Sequence, residues 1–128
     1  MTDPGPLTSA PLVAFAATRD PSRARDFYQR VLGLALVSED QFALVFDAGG
    51  TTLRVATVQE LNPAKYTVLG WNVASIEKTI DDLMSRGVQF ERYDFFQQDA
   101  RGIWTAPSGT RVAWFKDPDS NLLSISQH

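Results

Sequence analysis

The chain has 128 residues, 44% of them hydrophobic and 21% charged, a composition that suits a globular protein with one sizeable core. A net charge of −3 and the lack of any basic stripe argue against nucleic acid as a partner, and no apolar run approaches the roughly 20 residues that span a bilayer. There is no cysteine and one histidine, His128, so disulfides, thiolate chemistry and a Ser-His-Asp set are excluded and most metal sites lose their usual ligands.

Residues 1–10 hold acid, Pro and Gly rather than a basic and then apolar signal. They read as a flexible tail, and a cytoplasmic address is expected. Residues 12–18 are a short apolar run, a buried strand. Asp20-Pro21 suits a helix N-cap with Pro at the first helical position. Ala24, Phe27, Tyr28, Val31 and Leu32 then recur at helical spacing, and Gly33 is a natural stop. Strands are expected at 34–38, 41–47 and 51–58, with turns at Glu39-Asp40 and Ala48-Gly49-Gly50. Residues 59–65 have Asn62-Pro63 and no periodicity, and read as a linker.

The second half repeats this order. Residues 66–73 read as a strand. Ser75 suits an N-cap, and Ile76, Thr79, Ile80, Leu83 and Met84 form the buried stripe of a helix ending at Gly87. Residues 88–93 are expected as a strand and 94–101 as a polar loop carrying Phe95 and Phe96. Residues 102–106 and 110–115 form a hairpin about Pro107-Ser108-Gly109, and 122–126 close the chain as a strand. The halves align, with Val13 on Val68, Asp20 on Ser75, Gly33 on Gly87, Leu53 on Leu123 and Arg54 on Ser124. The expectation is one compact domain. It has a first module at 11–58, a second at 66–128, and two sheets that curl towards each other with a helix on each outer face.

These residues reach a family. The pattern Val13-x-x-x-x-x-Arg19-Asp20-x-x-x-x-x-x-Phe27-Tyr28-x-x-Val31-Leu32-Gly33-Leu34 resembles the first module of the vicinal oxygen chelate superfamily. That superfamily includes glyoxalase I, extradiol dioxygenases and bleomycin resistance proteins. The run Phe115-x-Asp117-Pro118-Asp119-x-Asn121-x-Leu123 resembles its closing motif, with Ser120 where Gly is usual. The resemblance covers residues 11–127. It implies an α+β fold of two βαβββ modules whose curled mixed sheets form a cup, and it implies a homodimer. It also places the metal ligands of the enzyme members at Val13, Arg54, Val68 and Ser124. Two of these have no lone pair, one is a cation and one is a neutral hydroxyl, so no metal site and no other cofactor is expected.

With Ser124 facing inward, alternation puts Val13, Phe15, Ala17, Thr52, Arg54, Ala56, Val68, Gly70, Asn72, Leu122 and Ser126 inside. Leu53, Val55, Leu69, Trp71, Val73, Leu123 and Ile125 then face the helices. The inward set is mostly small or apolar with a few polar groups, which suits a ligand pocket. Phe15, Arg54, Val68, Asn72, Trp104, Trp114 and Ser124 are the candidate ligand-binding residues. Arg54 either holds an anionic oxygen of a ligand or pairs with Glu39, Asp47 or Asp99. Trp104 and Trp114 either wall the pocket against a flat or cationic ligand or serve as packing. Tyr93, Phe95 and Phe96 form a lid or a dimer contact. Asp117 and Asp119 are expected to bond the backbone of their own turn.

The leading expectation is a metal-independent binding protein for an anionic or aromatic small molecule, dimeric, with no nucleic-acid or membrane partner. The alternative is an isomerase or lyase in which Arg54 stabilises an oxyanion and Glu39 or Asp99 acts as base. A metal-dependent glyoxalase or dioxygenase comes third, and an interaction subunit with a filled cup fourth.

Overall fold

Asp20 starts the first helix as its position predicts. Its carboxylate accepts from the Arg23 N–H at 3.3 Å, and that bond, the Ser22 hydroxyl and nearby charge hold its pKa below the ordinary value. The computed structural model describes residues 5–128, so residues 1–4 of the expected tail lie outside the described residues. Residues 5–10 form exposed turns.

The first module runs β1 (Val13–Thr18), α1 (Pro21–Arg25), β2 (Ala35–Glu39), β3 (Ala43–Ala48) and β4 (Thr51–Thr57). The second runs β5 (Leu69–Asn72), α2 (Ile76–Ser85), β6 (Trp104–Thr105), β7 (Arg111–Lys116) and β8 (Leu122–Gln127). The two four-stranded sheets have orders β1-β4-β3-β2 and β5-β8-β7-β6, the same order under the repeat. In each, the first and last strands pair parallel and the rest antiparallel. Neither sheet closes into a barrel.

One face of each sheet is buried. On β4, Leu53 and Val55 are at most 1% exposed, while Thr52, Arg54 and Ala56 lie on the other face. On β8, Leu123 and Ile125 are buried between Ser124 and Ser126 in the same way. Both buried faces join one core with Tyr28, Phe46, Ile76, Ile80 and Phe115. Gly49 and Gly50, at φ 61° and 91°, make the tight β3–β4 hairpin that requires positive φ at both positions.

The turn between β7 and β8 clamps the two modules together. Asp117 Oδ1 accepts the N–H groups of Asp119 and Asn121, and its Oδ2 accepts the buried Tyr28 hydroxyl at 2.7 Å. Burial raises the Asp117 pKa, against the pull of hydrogen bonds from Asn121 and Tyr28. Burial, and then the charge of Asp117, pushes the Tyr28 phenol far above its usual value. The Asp119 carboxylate does not bond its own turn as expected. It accepts the Thr18 hydroxyl at 2.6 Å and the Arg19 N–H at 2.9 Å, both in the first module. Asn121 adds a bond to the Ala17 carbonyl. Ser120 adopts φ 67°, the left-handed conformation that explains why Gly is usual there.

Three elements differ from the periodic reading. The helix expected through Leu32 widens after α1 into a π-helical stretch (Asp26–Val31), with the Leu32 N–H bonded to the Phe27 carbonyl at 2.9 Å. Apolar spacing of three and four does not distinguish this widening from an ordinary helix. Residues 88–93 form no strand. A single bridge joins Phe90 to Phe115, and the Glu91 N–H bonds the Trp114 carbonyl. The free edge of β7 is thus shared by this stretch and the two-residue β6. The loop between them is tied by the Gln98 side chain, which bonds the backbone at Glu91, Tyr93 and Gly102 and replaces ladder bonds. Finally, β5 spans four residues rather than the eight of 66–73.

Candidate functional site

The face of each sheet opposite the core is open. On the first sheet, Arg54 sits at the centre of a row, flanked by Phe15 on β1 and Val45 on β3. Phe15 is 60% exposed and Val13, one row along, 42%. On the second sheet the equivalent central residue is Ser124, flanked by Gly70 on β5 and Trp114 on β7. The repeat therefore holds in the strand register itself: Arg54 and Ser124 occupy the same position in the two modules.

Arg54 has none of its three expected partners. Glu39 is bound by Arg25 at 2.8 Å, Asp47 accepts the Gly50 N–H of its hairpin, and Asp99 accepts the N–H groups of Arg101 and Ile103. Among the described residues the Arg54 guanidinium makes no hydrogen bond or ion pair. Its charge is felt at Asp40, whose pKa is lowered first by N–H bonds from Phe42 and Ala43 and then, more weakly, by Arg54. A half-buried guanidinium with open donors is suited to a carboxylate or phosphate oxygen. Because Glu39 and Asp99 are engaged elsewhere, neither stands ready as the base that an isomerase or lyase would need.

The second face is aromatic. Trp114 shares it with Ser124 and donates its indole N–H to the Thr67 hydroxyl at 3.1 Å. Trp104 pairs with Val112 and stands 6.1 Å from Trp114 between ring centres. Phe96 covers both rings, stacked on Trp114 at 5.3 Å and tilted on Trp104 at 4.6 Å. Tyr93 meets Trp114 edge-on, and Phe95 lies 76% exposed at the rim. Burial, and then the charge of Glu91, raises the Tyr93 phenol pKa, so this wall stays neutral. Gly70 keeps the floor open, because a Cβ there would stand 2.9 Å from the Ser124 hydroxyl.

Of the candidate residues, Phe15 and Arg54 lie together on the first face. Trp104, Trp114 and Ser124 lie together on the second, with Asn72 two residues along β5 from Gly70. Val68 precedes β5 and packs against the core, lining an apolar cleft with Leu12, Ala14, Leu69 and Trp71. His128 has no role among the candidate residues read from the sequence. The structure puts it beside Ser126, its Nε2 3.4 Å from that hydroxyl and its Nδ1 3.4 Å from Thr110 Oγ1. The period of two, continued past β8, is the signal that points to it.

A family model described as the Glyoxalase/Bleomycin resistance protein/Dioxygenase superfamily matches residues 11–125. The chain belongs to this superfamily. It is 32% identical over 122 residues to the uncharacterized protein YraH of Bacillus subtilis (strain 168), covering 83% of this chain and 88% of that one. Its fold is similar to that of a superfamily member from Sphaerobacter thermophilus, with a TM-score of 0.74 and 23% identity over 94% of this chain and 98% of that one. It is also similar to the bleomycin resistance determinant encoded on transposon Tn5, with a TM-score of 0.73 and 20% identity over 94% and 98%. Lactoylglutathione lyase from Agrobacterium tumefaciens superposes with a TM-score of 0.73 at 16% identity, over 93% of each chain. The four positions that resemble the metal-ligand positions of superfamily enzymes, Val13, Arg54, Val68 and Ser124, do not fit a divalent ion. Valine has no donor atom, and a guanidinium repels a cation. Among the described residues no three His, Cys, Asp or Glu side chains gather elsewhere.

Proposed function

We propose that this superfamily member is a cytoplasmic, homodimeric small-molecule binding protein that works without a metal, holding an anionic or aromatic ligand on its open sheet faces. One observation carries the reading: Arg54, central on an open face, has no partner among the described residues. Retaining an unpaired cation between Phe15 and Val45 makes physical sense if a ligand anion completes it. The aromatic wall and the small floor at Gly70 and Ser124 supply the flat apolar surface that such pockets use. Dimerisation is supported by exposed Phe15, Val37 and Phe42, all at least 60% exposed, on or beside the first sheet. A second copy laid over these faces would enclose a ligand that one chain leaves open.

The test is a thermal-shift screen of aromatic carboxylates and phosphates, run on protein dialysed against a chelator. Stabilisation should persist after dialysis and fall about tenfold in apparent affinity in Arg54→Ala. Binding that disappears with the chelator and returns with one divalent ion per chain overturns the proposal.

A further inference from the structure

We infer that a cleft between the two modules, on the core side of the second sheet, is a separate binding site for a small hydrocarbon about the size of benzene. It lies on the opposite side of that sheet from Ser124 and Trp114, and it does not depend on the open faces being a binding site. Its floor is Phe115, Ile125 and Leu83, which are 0%, 2% and 8% exposed. Trp71 stands beside Ile125 in the strand register, and Val73 lies two residues further along on the same face. The first module supplies the other wall with Leu32 and Leu34, which flank Gly33 after the π-helical stretch. The space between these side chains is about 170 Å³.

The space has a local cause. The apolar stripe of α2 includes Ile76, Ile80 and Leu83, and Thr79 is the small residue among them at the cleft. Its hydroxyl donates to the Ser75 carbonyl at 2.8 Å within its own helix, so it is already satisfied and offers a ligand little. None of the eight lining side chains is charged, and the one other polar group among them is the Trp71 indole N–H. An ordered water needs two to four polar partners, which this lining does not supply. A space of roughly 150 Å³ lined by Leu, Ile and Phe stays dry and accepts benzene, and this one is close to it in size and chemistry. Side chains that face a void lose dispersion contacts, and a hydrocarbon guest restores them. A carboxylate or phosphate is excluded, because nothing in the lining repays the burial of its charge. The cleft and Arg54 therefore select opposite chemistries. A guest in the cleft also touches both modules at once, joining Leu32 and Leu34 to Trp71 and α2.

The experiment titrates benzene and, separately, benzoate into the full chain while NMR follows the Leu83 and Ile125 methyl resonances and the indole N–H resonances of all three tryptophans. Benzene should shift the Leu83, Ile125 and Trp71 signals together and saturably, and benzoate should bind there about tenfold more weakly or worse. Thr79→Leu fills the space and should weaken benzene about tenfold or more, while Thr79→Val keeps the volume and should leave it within about twofold. Leu83→Phe fills the space from the floor and should act like Thr79→Leu, which keeps the test standing if one variant misfolds. Benzene binding that survives both filling variants, benzoate binding at these methyls as tight as that of benzene, or no saturable shift at them overturns the inference. So does a response confined to Trp104 and Trp114, since the guest then sits on the open face. None of these results bears on anion binding at Arg54, which the thermal-shift screen reads separately.

Discussion

The two modules share a topology, a strand register and a buried face, yet their open faces differ in kind. Leu53 and Val55 in the first module correspond to Leu123 and Ile125 in the second, and all four are buried in one core. One strand position away, Arg54 corresponds to Ser124, Phe15 to Gly70 and Val45 to Trp114. Packing constrains the first set, because a core tolerates little change in volume or polarity. The shared core does not constrain the second set, so its members are freer to differ between the modules, as Arg54 and Ser124 do. What a repeat preserves is its scaffold; what it lets diverge points to the site.

The strongest way to break the relation between the modules is to cut the clamp that joins them. Asp117→Ala should cost about 3 kcal/mol or more in urea unfolding, since it strands the buried Tyr28 hydroxyl and two turn N–H groups at once. The same carboxyl predicts a pH effect. Burial raises its folded pKa above the ordinary 3.8, so its contribution to stability is fullest below that value and is lost as pH rises through the folded pKa. The penalty of Asp117→Asn relative to the parent should therefore shrink as pH is raised from 3.8; a penalty that grows with pH contradicts the assignment.

Trp114→Leu removes the ring on which Phe96 stacks and the bond to Thr67, and should destabilise by about 2 kcal/mol. The loop at 92–103 should then show faster amide hydrogen exchange than β7, because only its edge contact is lost. Ser120→Gly relieves a side chain from φ 67° and should stabilise by about 1 kcal/mol, read as a shift in the urea midpoint at unchanged slope. The smallest effect on stability belongs to Arg54→Ser, which gives the first module the central residue of the second. With no protein partner to lose, it should change stability by less than about 0.5 kcal/mol while weakening aromatic carboxylates. A large loss of stability would show that Arg54 serves the fold rather than a ligand.

Much of this architecture was legible from periodicity. Helix caps at Asp20 and Ser75, the Gly49-Gly50 hairpin and the in-out alternation of β4 and β8 all follow from local chemistry that a single strand or helix expresses alone. The repeat was legible too, since Arg54 and Ser124 do share a register position. The misses lie where a side chain substitutes for a backbone pattern. Gln98 ties the 92–103 loop where a strand at 88–93 was expected, and Asp119 reaches into the first module instead of bonding its own turn. Trp114 had no secure face from sequence, because the apolar run at 112–115 fits either alternation; burial of Ala113 and Phe115 settles it.

The sequence by itself determined the family fold and the in-out alternation of β4 and β8, because these depend on residue type and short-range spacing. Only the tertiary structure decided that Arg54 is left without a partner, that Trp104 and Trp114 share one face, and that His128 stands beside Ser126. Each of these depends on which strands lie side by side, and residues brought together across strands carry no local signature of their meeting.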